Sequence, residues 1–393
     1  MVSLGSLQLA QRMEMVPFSG IRKVFERGKA LEREGRPVIF LETGRPDFDT
    51  PVHIKEAAKR ALDAGEVHYT SNYGTPALRA AIAEKLARDN GLRYDPEQEL
   101  LVTVGAAEAI HAAFLALVGP GDEVLYAEPN WVNYAAAARL TGAVPVPVSL
   151  RESNNYQIDP DEAQRAITPR TRLLVIASPH NPTGAVQSPE TLRRLAELAV
   201  RNDLVVLSDE IYEKIIYDGL AHVSLASLPG MWERTITING FSKAYSMTGW
   251  RLGYAAAPGP IIQAMNRVHQ YTVTCACSFA QAGAVAALTG PQDCVSAMVR
   301  EFQRRRELVV PGINAIRGLS CLRPGGAFYA WVSVEGAGMR SEDFSLKLLE
   351  TVYVSCVPGS VFGSAGEGYV RFSYANSFER LTEALERLKR FCP

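Results

Sequence analysis

Short apolar runs alternate with amphipathic stretches through the middle of this 393-residue chain. The runs have the length of strands that are buried on both faces, and they lie at 100–104, 123–127, 173–177, 204–207 and 235–239. Between them, stretches such as 106–118 and 189–202 carry apolar residues at helical spacing, and Ser188 and Pro189 mark the start of the second. Strands separated by helical patterns predict an α/β fold, a mainly parallel sheet covered by helices.

The pattern changes after about residue 289. A long, arginine-rich helical segment at 300–316 is followed by Gly325-Gly326 and then by strand-like runs at 328–332 and 369–374. A charged helix follows from Ser377. This order of elements predicts a smaller α+β part after the larger α/β part.

The N-terminal segment has helical spacing at 21–35, closed by Gly35 and Pro37. It is too short to bury a core of its own, so we expect it to pack on the C-terminal part. The predicted domains are therefore a large domain over 48–288 and a small domain formed by 1–47 and 289–393.

Composition and charge restrict the class of function. Lys and Arg total 41 and Asp and Glu total 42, a net charge of −1, so neither nucleic acid nor an anionic membrane is an expected partner. The chain contains no apolar stretch of about 18 residues, and MVSLGSLQLAQRMEM lacks the features of a secretory signal. The six cysteines form no CxxC pair, and we expect reduced, mostly buried thiols in a cytoplasmic protein. The six histidines are scattered, so no metal site is expected.

Polar and small residues follow four of the predicted strands. They are Gly105-Ala106-Ala107, SPHNPTG at 178–184, Asp209 with Tyr212, and Ser242-Lys243 with Arg251. Because ligands bind at the carboxyl ends of parallel strands, these groups are expected to converge on one site. Small residues at the start of a helix also suit a phosphate. Each feature alone has an ordinary structural explanation, such as a turn or a helix cap, but their order and spacing are informative.

The chain resembles the class I/II aminotransferases of pyridoxal-phosphate (PLP) fold type I, especially their bacterial and archaeal aspartate-aminotransferase-like subgroup. The matching segments are GRPDFDTP (44–51), HYTSNYGTPALR (68–79), PNWVNY (129–134), SPHNPTGAV (178–186), SDEIYE (208–213), FSKAYSMTGWRLGY (241–254) and YVRFSYANS (369–377). They occur in the family's order over nearly the whole chain. The resemblance implies PLP as cofactor and transfer of an amino group from an L-amino acid to a 2-oxo acid.

The resemblance also implies the catalytic groups. Lys243 matches the lysine that holds PLP as a Schiff base and later carries a proton. Asp209 matches the carboxylate that keeps the pyridine nitrogen protonated, and Tyr212 and Asn181 match the groups that hydrogen-bond the phenolic oxygen. Trp131 matches the aromatic side chain that stacks on the ring.

Phosphate binding is implied for Ser242, Arg251 and the backbone of Gly105, Ala106 and Ala107. Tyr69 matches a tyrosine that reaches the phosphate in the neighbouring subunit. The resemblance thus implies a homodimer with shared active sites.

Arg371 matches the arginine that pairs with the substrate α-carboxylate, assisted by Gly44, Trp131 and Asn181. Some aspartate-preferring relatives carry a lysine near the position of Ala107, and the sequence offers no other obvious cation for a second carboxylate. An apolar or aromatic substrate side chain is therefore expected at least as much as an acidic one. Three further candidates to shape specificity cannot be ranked from the sequence: Ile21, Arg45 and Asn133.

Two alternatives remain at this point. The same residues would support elimination, replacement, cyclisation or oxidation of an amino acid on the PLP scaffold. A non-catalytic effector-binding module of a regulator would require a DNA-binding domain, and only about 40 residues precede GRPDFDTP.

Overall fold

A computed structural model describes residues 10–16, 18 and 20–392. Within these residues the α-helices are α1 (Gly20–Arg33), α2 (Val52–Asp63), α3 (Pro76–Asn90), α4 (Gly105–Leu117), α5 (Asn133–Thr141), α6 (Pro160–Ala166), α7 (Pro189–Arg201), α8 (Gly259–Thr272), α9 (Ser278–Thr289), α10 (Asp293–Asn314), α11 (Ser341–Val352) and α12 (Phe378–Phe391).

The β-strands are β1 (Ile39–Phe40), β2 (Leu100–Thr103), β3 (Glu123–Glu128), β4 (Val144–Ser149), β5 (Thr171–Ala177), β6 (Val205–Asp209), β7 (Thr235–Gly240), β8 (Gly253–Ala256), β9 (Ser320–Cys321), β10 (Tyr329–Ser333), β11 (Val354–Ser355), β12 (Val357–Pro358) and β13 (Tyr369–Ser373).

Seven strands form the central sheet in the order β2-β8-β7-β6-β5-β3-β4. Every pair in it is parallel except those that β8 makes with β2 and β7. The five predicted strands are all present, and β3 and β5 are buried along almost their whole length because helices cover both faces. The prediction of a mainly parallel sheet is confirmed, and the sequence reading missed β4 and the reversed strand β8.

Local capping explains where several helices begin. Ser188 accepts a hydrogen bond from the Thr191 backbone N–H, and Pro189 occupies the first turn of α7, as predicted. Ser377 caps α12 in the same way through the Arg380 N–H. The arginine-rich helix α10 starts at Asp293, earlier than predicted, because Val295 and Met298 continue its buried face towards the N-terminus.

The C-terminal part contains a second, antiparallel sheet in the order β12-β13-β10-β9. The short strand β1 pairs in parallel with β11, and Arg27 of α1 forms an ion pair with Glu350 of α11 at 2.8 Å. The N-terminal elements therefore lie against C-terminal ones, which brings residues 42–45 to the edge of the central sheet.

All six cysteines are free thiols, but the expectation that most are buried is wrong. Cys321 and Cys356 are buried, three others are partly exposed, and Cys277 is exposed. The prediction fails because the exposure of a cysteine side chain depends on which helices and strands cover it in the folded chain. No helix among the described residues is long and apolar enough to cross a membrane.

Candidate active site

The carboxyl ends of the parallel strands open into a cavity of about 410 Å³. Predicted site residues that line it are Gly44, Ala106, Ala107, Trp131, Asn181, Asp209, Tyr212, Ser242, Lys243, Arg251 and Arg371. β2, β5, β6 and β7 all point the same way, because two antiparallel pairings through β8 restore the direction of β2. The sheet therefore brings the four strand ends together as the sequence predicted.

Lys243 lies in the turn after β7, and its Nζ donates a hydrogen bond to the Gly44 carbonyl oxygen at 2.6 Å. Burial, together with the positive charges of Arg371 and Arg251, lowers the pKa of the Lys243 ammonium to about 8. About a tenth of this amine is therefore neutral and nucleophilic at pH 7, far more than for a lysine of ordinary pKa.

Asp209 ends β6 and is only 4% exposed. Its Oδ2 accepts a hydrogen bond from the Tyr134 hydroxyl at 2.6 Å, and its Oδ1 accepts one from the Ile211 backbone N–H at 3.2 Å. Burial raises the pKa of the Asp209 carboxyl, and within the described residues Asp209 has no ion-pair partner. A cationic N–H group of a ligand would supply the missing charge.

Gly105 and Arg251 meet where α4 begins. Gly105 has φ +77°, and a Cβ placed on it would come within 2.5 Å of Nη2 of Arg251. Arg251 Nη1 donates to the Thr248 carbonyl oxygen at 3.0 Å, so its guanidinium is held beside the start of the helix. The positive φ and the close approach of Arg251 leave room only for glycine at 105. The first turn of α4 and this guanidinium together could hold a phosphate.

Arg371 on β13 is 2% exposed, and its guanidinium lies between the rings of Tyr329 and Phe362, at 4.4 and 5.0 Å from their centroids. It donates to the Asn181 side-chain oxygen at 2.9 Å and to the Glu42 carbonyl oxygen at 2.7 Å. Within the described residues it forms no salt bridge, and its Nε has no hydrogen-bond partner. A buried guanidinium with unused donors is suited to a carboxylate ligand.

Tyr134 and Tyr329 belong to the site and were not predicted from the sequence. The Tyr329 hydroxyl lies 2.6 Å from the Tyr212 hydroxyl, and the Tyr329 ring lies against the Arg371 guanidinium. Tyr134, the partner of Asp209, lies within the matched segment PNWVNY. Only its place in that segment marked Tyr134, and nothing in the pattern around Tyr329 distinguished it from a core residue of β10.

A buried polar network behind Asp209 was also missed. Glu210, Glu213 and His222 place potential ligand atoms within 4.8 Å of one another, a grouping that the scattered histidines did not indicate. The Lys85 ammonium, however, bonds Glu213, and His222 Nε2 lies 2.9 Å from Glu210. These contacts compensate both carboxylates, so the network anchors the turn that carries Asp209 and Tyr212.

Tyr69 does not line the cavity and is 87% exposed. Asn133 lies outside it as well, in an adjoining cavity of about 670 Å³ that shares Trp131 with the active-site cavity. Ile21 and Arg45, the other unranked candidates, do line the active-site cavity.

The charged side chains of the cavity fit PLP. Arg45, Lys243, Arg251 and Arg371 line it, and Asp209 is the sole carboxylate side chain among the described lining residues. This excess of positive charge favours a ligand that carries several negative charges, and the buried Asp209 favours one that also carries a protonated nitrogen. A phosphorylated pyridine with a carboxylate-bearing substrate meets both requirements.

Comparison with known proteins agrees with this chemistry. Residues 36–388 match the family model described as aminotransferase class I and II. The chain is 45% identical over 386 residues to aromatic-amino-acid aminotransferase 2 of Thermococcus litoralis, covering 98% of each chain. It is equally similar, with the same coverage, to an aspartate aminotransferase of Pyrococcus abyssi.

A solved aspartate aminotransferase from Rhizobium meliloti superposes with a TM-score of 0.94 at 43% identity, covering 98% of this chain and 99% of that one. Full-length similarity at this level confirms the expected fold, the PLP cofactor and amino-group transfer, and it does not favour the elimination, replacement, cyclisation and oxidation alternatives. The chain belongs to the class I and II aminotransferases, the PLP-dependent enzymes of fold type I.

Proposed function

We propose that Lys243 is the catalytic amine of this aminotransferase and that Asp209, Tyr212 and Arg371 are its principal partners. The observation that carries the proposal is one cavity in which a lysine of lowered pKa faces a buried carboxylate and a buried, unpaired guanidinium. Such a combination is rare in structural ion-pair networks, which pair their charges.

Groups that follow β2, β3, β5, β6 and β7 would hold the cofactor. Asp209 would keep a proton on the pyridine nitrogen, and Tyr212 and Asn181 would bond the phenolic oxygen. Arg251, Ser242 and the Gly105–Ala107 backbone would bind the phosphate, and Trp131 would cover the ring. Bound PLP supplies an electron-withdrawing ring that makes the substrate Cα–H acidic.

The chain's own residues then position the substrate and move the proton. Arg371, fixed by Asn181 and the Glu42 carbonyl, binds the α-carboxylate in two places, with the backbone of Gly44 beside it. Lys243 accepts the proton from Cα as a neutral amine, which its lowered pKa permits. Tyr212 and Tyr329 line the cavity, and their rings pack edge to face against each other, with Phe328 edge to face against Tyr212, which places aromatic rather than polar surface on this side of the site.

A half-reaction tests the amino-transfer assignment. When the holoenzyme receives one L-amino acid and no acceptor, we expect one 2-oxo acid per site and a stoichiometric, lasting change of the cofactor spectrum to the amine form. Continued turnover with release of ammonia or a leaving group would contradict amino transfer. Arg371→Ala should impair either chemistry, so this variant tests the carboxylate contact alone.

We further propose an active homodimer with shared sites. Tyr69 and Tyr271 are exposed aromatic side chains, at 87% and 88%, and Val67 near Tyr69 is 53% exposed. The Asn72 side chain bonds the Thr274 carbonyl at 2.7 Å, which joins the two segments that carry these tyrosines. An apolar surface of this kind is typical of an interface, and it would let Tyr69 reach the phosphate of the neighbouring subunit.

Mixing inactive subunits tests this arrangement. In a heterodimer of Tyr69→Phe and Lys243→Ala chains, the intact Lys243 lies in the Tyr69→Phe chain, whose site receives Tyr69 from its neighbour. We therefore expect partial recovery of activity over either homodimer, measured after heterodimers are confirmed by mass spectrometry. No recovery in confirmed heterodimers, or an active monomer in sedimentation, would argue against shared sites.

We also propose that the chain has two domains and that the protein is cytoplasmic. Ile39 and Leu41 pack in one apolar cluster with residues between Met298 and Leu388, which supports a small domain of 1–47 and 289–393. Tyr212, Ile215 and Tyr217 of the large domain, 48–288, contribute to the same cluster where the two domains meet. Free thiols, one of them the exposed Cys277, suit a reducing cytoplasm.

A further inference from the structure

The cavity has one more cation than the proposed function uses. Four cationic side chains line it, and three have assigned roles: Arg251 with the phosphate, Arg371 with the α-carboxylate and Lys243 as the catalytic amine. Arg45 has none. An exposed arginine that lines a substrate cavity, with no partner in the described part of the chain, is available to an anionic group of the ligand.

The segment on either side of Arg45 is fixed. The Glu42 carbonyl oxygen accepts from Arg371 at 2.7 Å, and the Gly44 carbonyl oxygen accepts from Lys243 at 2.6 Å. On the other side, Asp47 forms an ion pair with Arg305 at 2.7 Å. The backbone at Arg45 is thus held against the two residues that bind and transform the substrate.

The side chain of Arg45 is uncommitted. Within the described residues it makes no salt bridge and no side-chain hydrogen bond, and it is exposed and lines the cavity. Asp209, the carboxylate of the same cavity, forms no salt bridge with Arg45. The guanidinium therefore has all its donors available to a ligand.

Arg45 and Arg371 line the same cavity, and the backbone that carries Arg45 lies close to Arg371. A Cβ built on Gly44 would be 3.8 Å from Nη2 of Arg371, and Arg45 is the next residue along the chain. The Arg45 side chain lines the same cavity as Arg371, so both guanidinium groups are available to one ligand.

We propose that Arg45 binds the second carboxylate of dicarboxylic substrates, that is, of acidic amino acids and their 2-oxo acids. The inference rests on the proposed function, since it assumes that Arg371 binds the α-carboxylate. It makes Arg45 a specificity-determining residue in place of the lysine that the sequence lacks at Ala107. A substrate with a neutral side chain would bind in the same cavity without the contact to Arg45.

The experiment compares acids with their amide isosteres, so that size is constant and charge varies. The ratio of kcat/KM for glutamate to that for glutamine is measured for wild type, Arg45→Gln and Arg45→Lys. We expect the ratio to fall about tenfold in Arg45→Gln, the size of a charge-assisted hydrogen bond at a partly exposed site, and to fall less in Arg45→Lys. The wild-type ratio should also shrink as salt is raised, because salt screens an exposed guanidinium.

Arg139→Gln is the matched control. Arg139 lines the adjoining cavity and forms no salt bridge in the described part of the chain, so the same charge is lost outside the substrate site. The ratio should stay at its wild-type value in this variant. An equal fall in Arg139→Gln would indicate a long-range field and overturn the contact.

A binding measurement separates this inference from the proposed function. Competition by succinate and by its monoamide against the substrate, or their calorimetric affinity for the holoenzyme, reports on Arg45 without any turnover. Weaker succinate binding in Arg45→Gln, with unchanged monoamide binding, supports the subsite even if amino transfer fails. Equal effects on both ligands, or no preference of wild type for the diacid, would overturn it while leaving amino transfer intact.

Discussion

Replacing Lys243 with alanine is expected to lower kcat by several powers of ten, each corresponding to about 1.4 kcal/mol of activation free energy. The variant loses the amine that binds the cofactor covalently and the base that moves the substrate proton. No other lysine lines the cavity within the described residues, so no neighbour can replace it. Steady-state kinetics measures the loss, and Lys59→Ala, a change at an exposed ion pair, is the control.

Borohydride reduction followed by peptide mapping locates the attachment directly. We expect the modification on the peptide that contains Lys243 in wild type and none in Lys243→Ala. The rate of attachment to the cofactor-free protein should rise with pH and level off above about 8, because the neutral amine reacts and burial with two nearby guanidinium groups has lowered its pKa. Attachment at another lysine, or a rate still rising towards pH 10, would remove Lys243 from this role.

Asp209→Ala should be the second most damaging change. The phosphate contacts around Gly105 and Arg251 remain, so the variant should still bind PLP, although more weakly. Catalysis should fall by several powers of ten because nothing then holds a proton on the ring nitrogen. We therefore expect Asp209→Ala to lose a modest part of its PLP affinity and a large part of its kcat.

Two comparisons sharpen this test. Tyr134→Phe removes one donor to Asp209 and leaves the carboxylate, so its loss of kcat should be much smaller than that of Asp209→Ala. Asp203→Ala removes a carboxylate that is 95% exposed and should behave as wild type. Turnover of Asp209→Ala close to wild type would show that this carboxylate does not control the ring nitrogen.

The site residues at the strand ends could be predicted from the sequence because their placement depends on local structure. Gly105-Ala106-Ala107 opens a helix, Asp209 ends a strand and Lys243 follows one, and a parallel sheet places such ends on one edge whatever the rest of the chain does. The sequence also identified the mainly parallel sheet, since buried runs of four to seven residues carry their own signal. Resemblance to known segments then supplied the chemistry.

Contacts between distant segments could not be predicted in this way. The Lys85–Glu213 pair joins positions 128 residues apart, and Tyr329 meets Tyr212 across 117 residues. The direction of β8 and the exposure of the cysteines likewise depend on which elements pack together. Nothing in the local pattern encodes these partners.

Arg45 shows most clearly the difference between what the sequence predicts and what the tertiary structure decides. From the sequence it was one unranked candidate, and no cation was evident for a second carboxylate. The sequence by itself determined the sheet, the strand-end groups and hence the class of chemistry, because these follow from short-range patterns of polarity and from recognisable segments. Only the tertiary structure decided that Arg45 lines the substrate cavity with no partner among the described residues, because that requires the N-terminal segment to be held by Arg371, Lys243 and Arg305 from three distant parts of the chain.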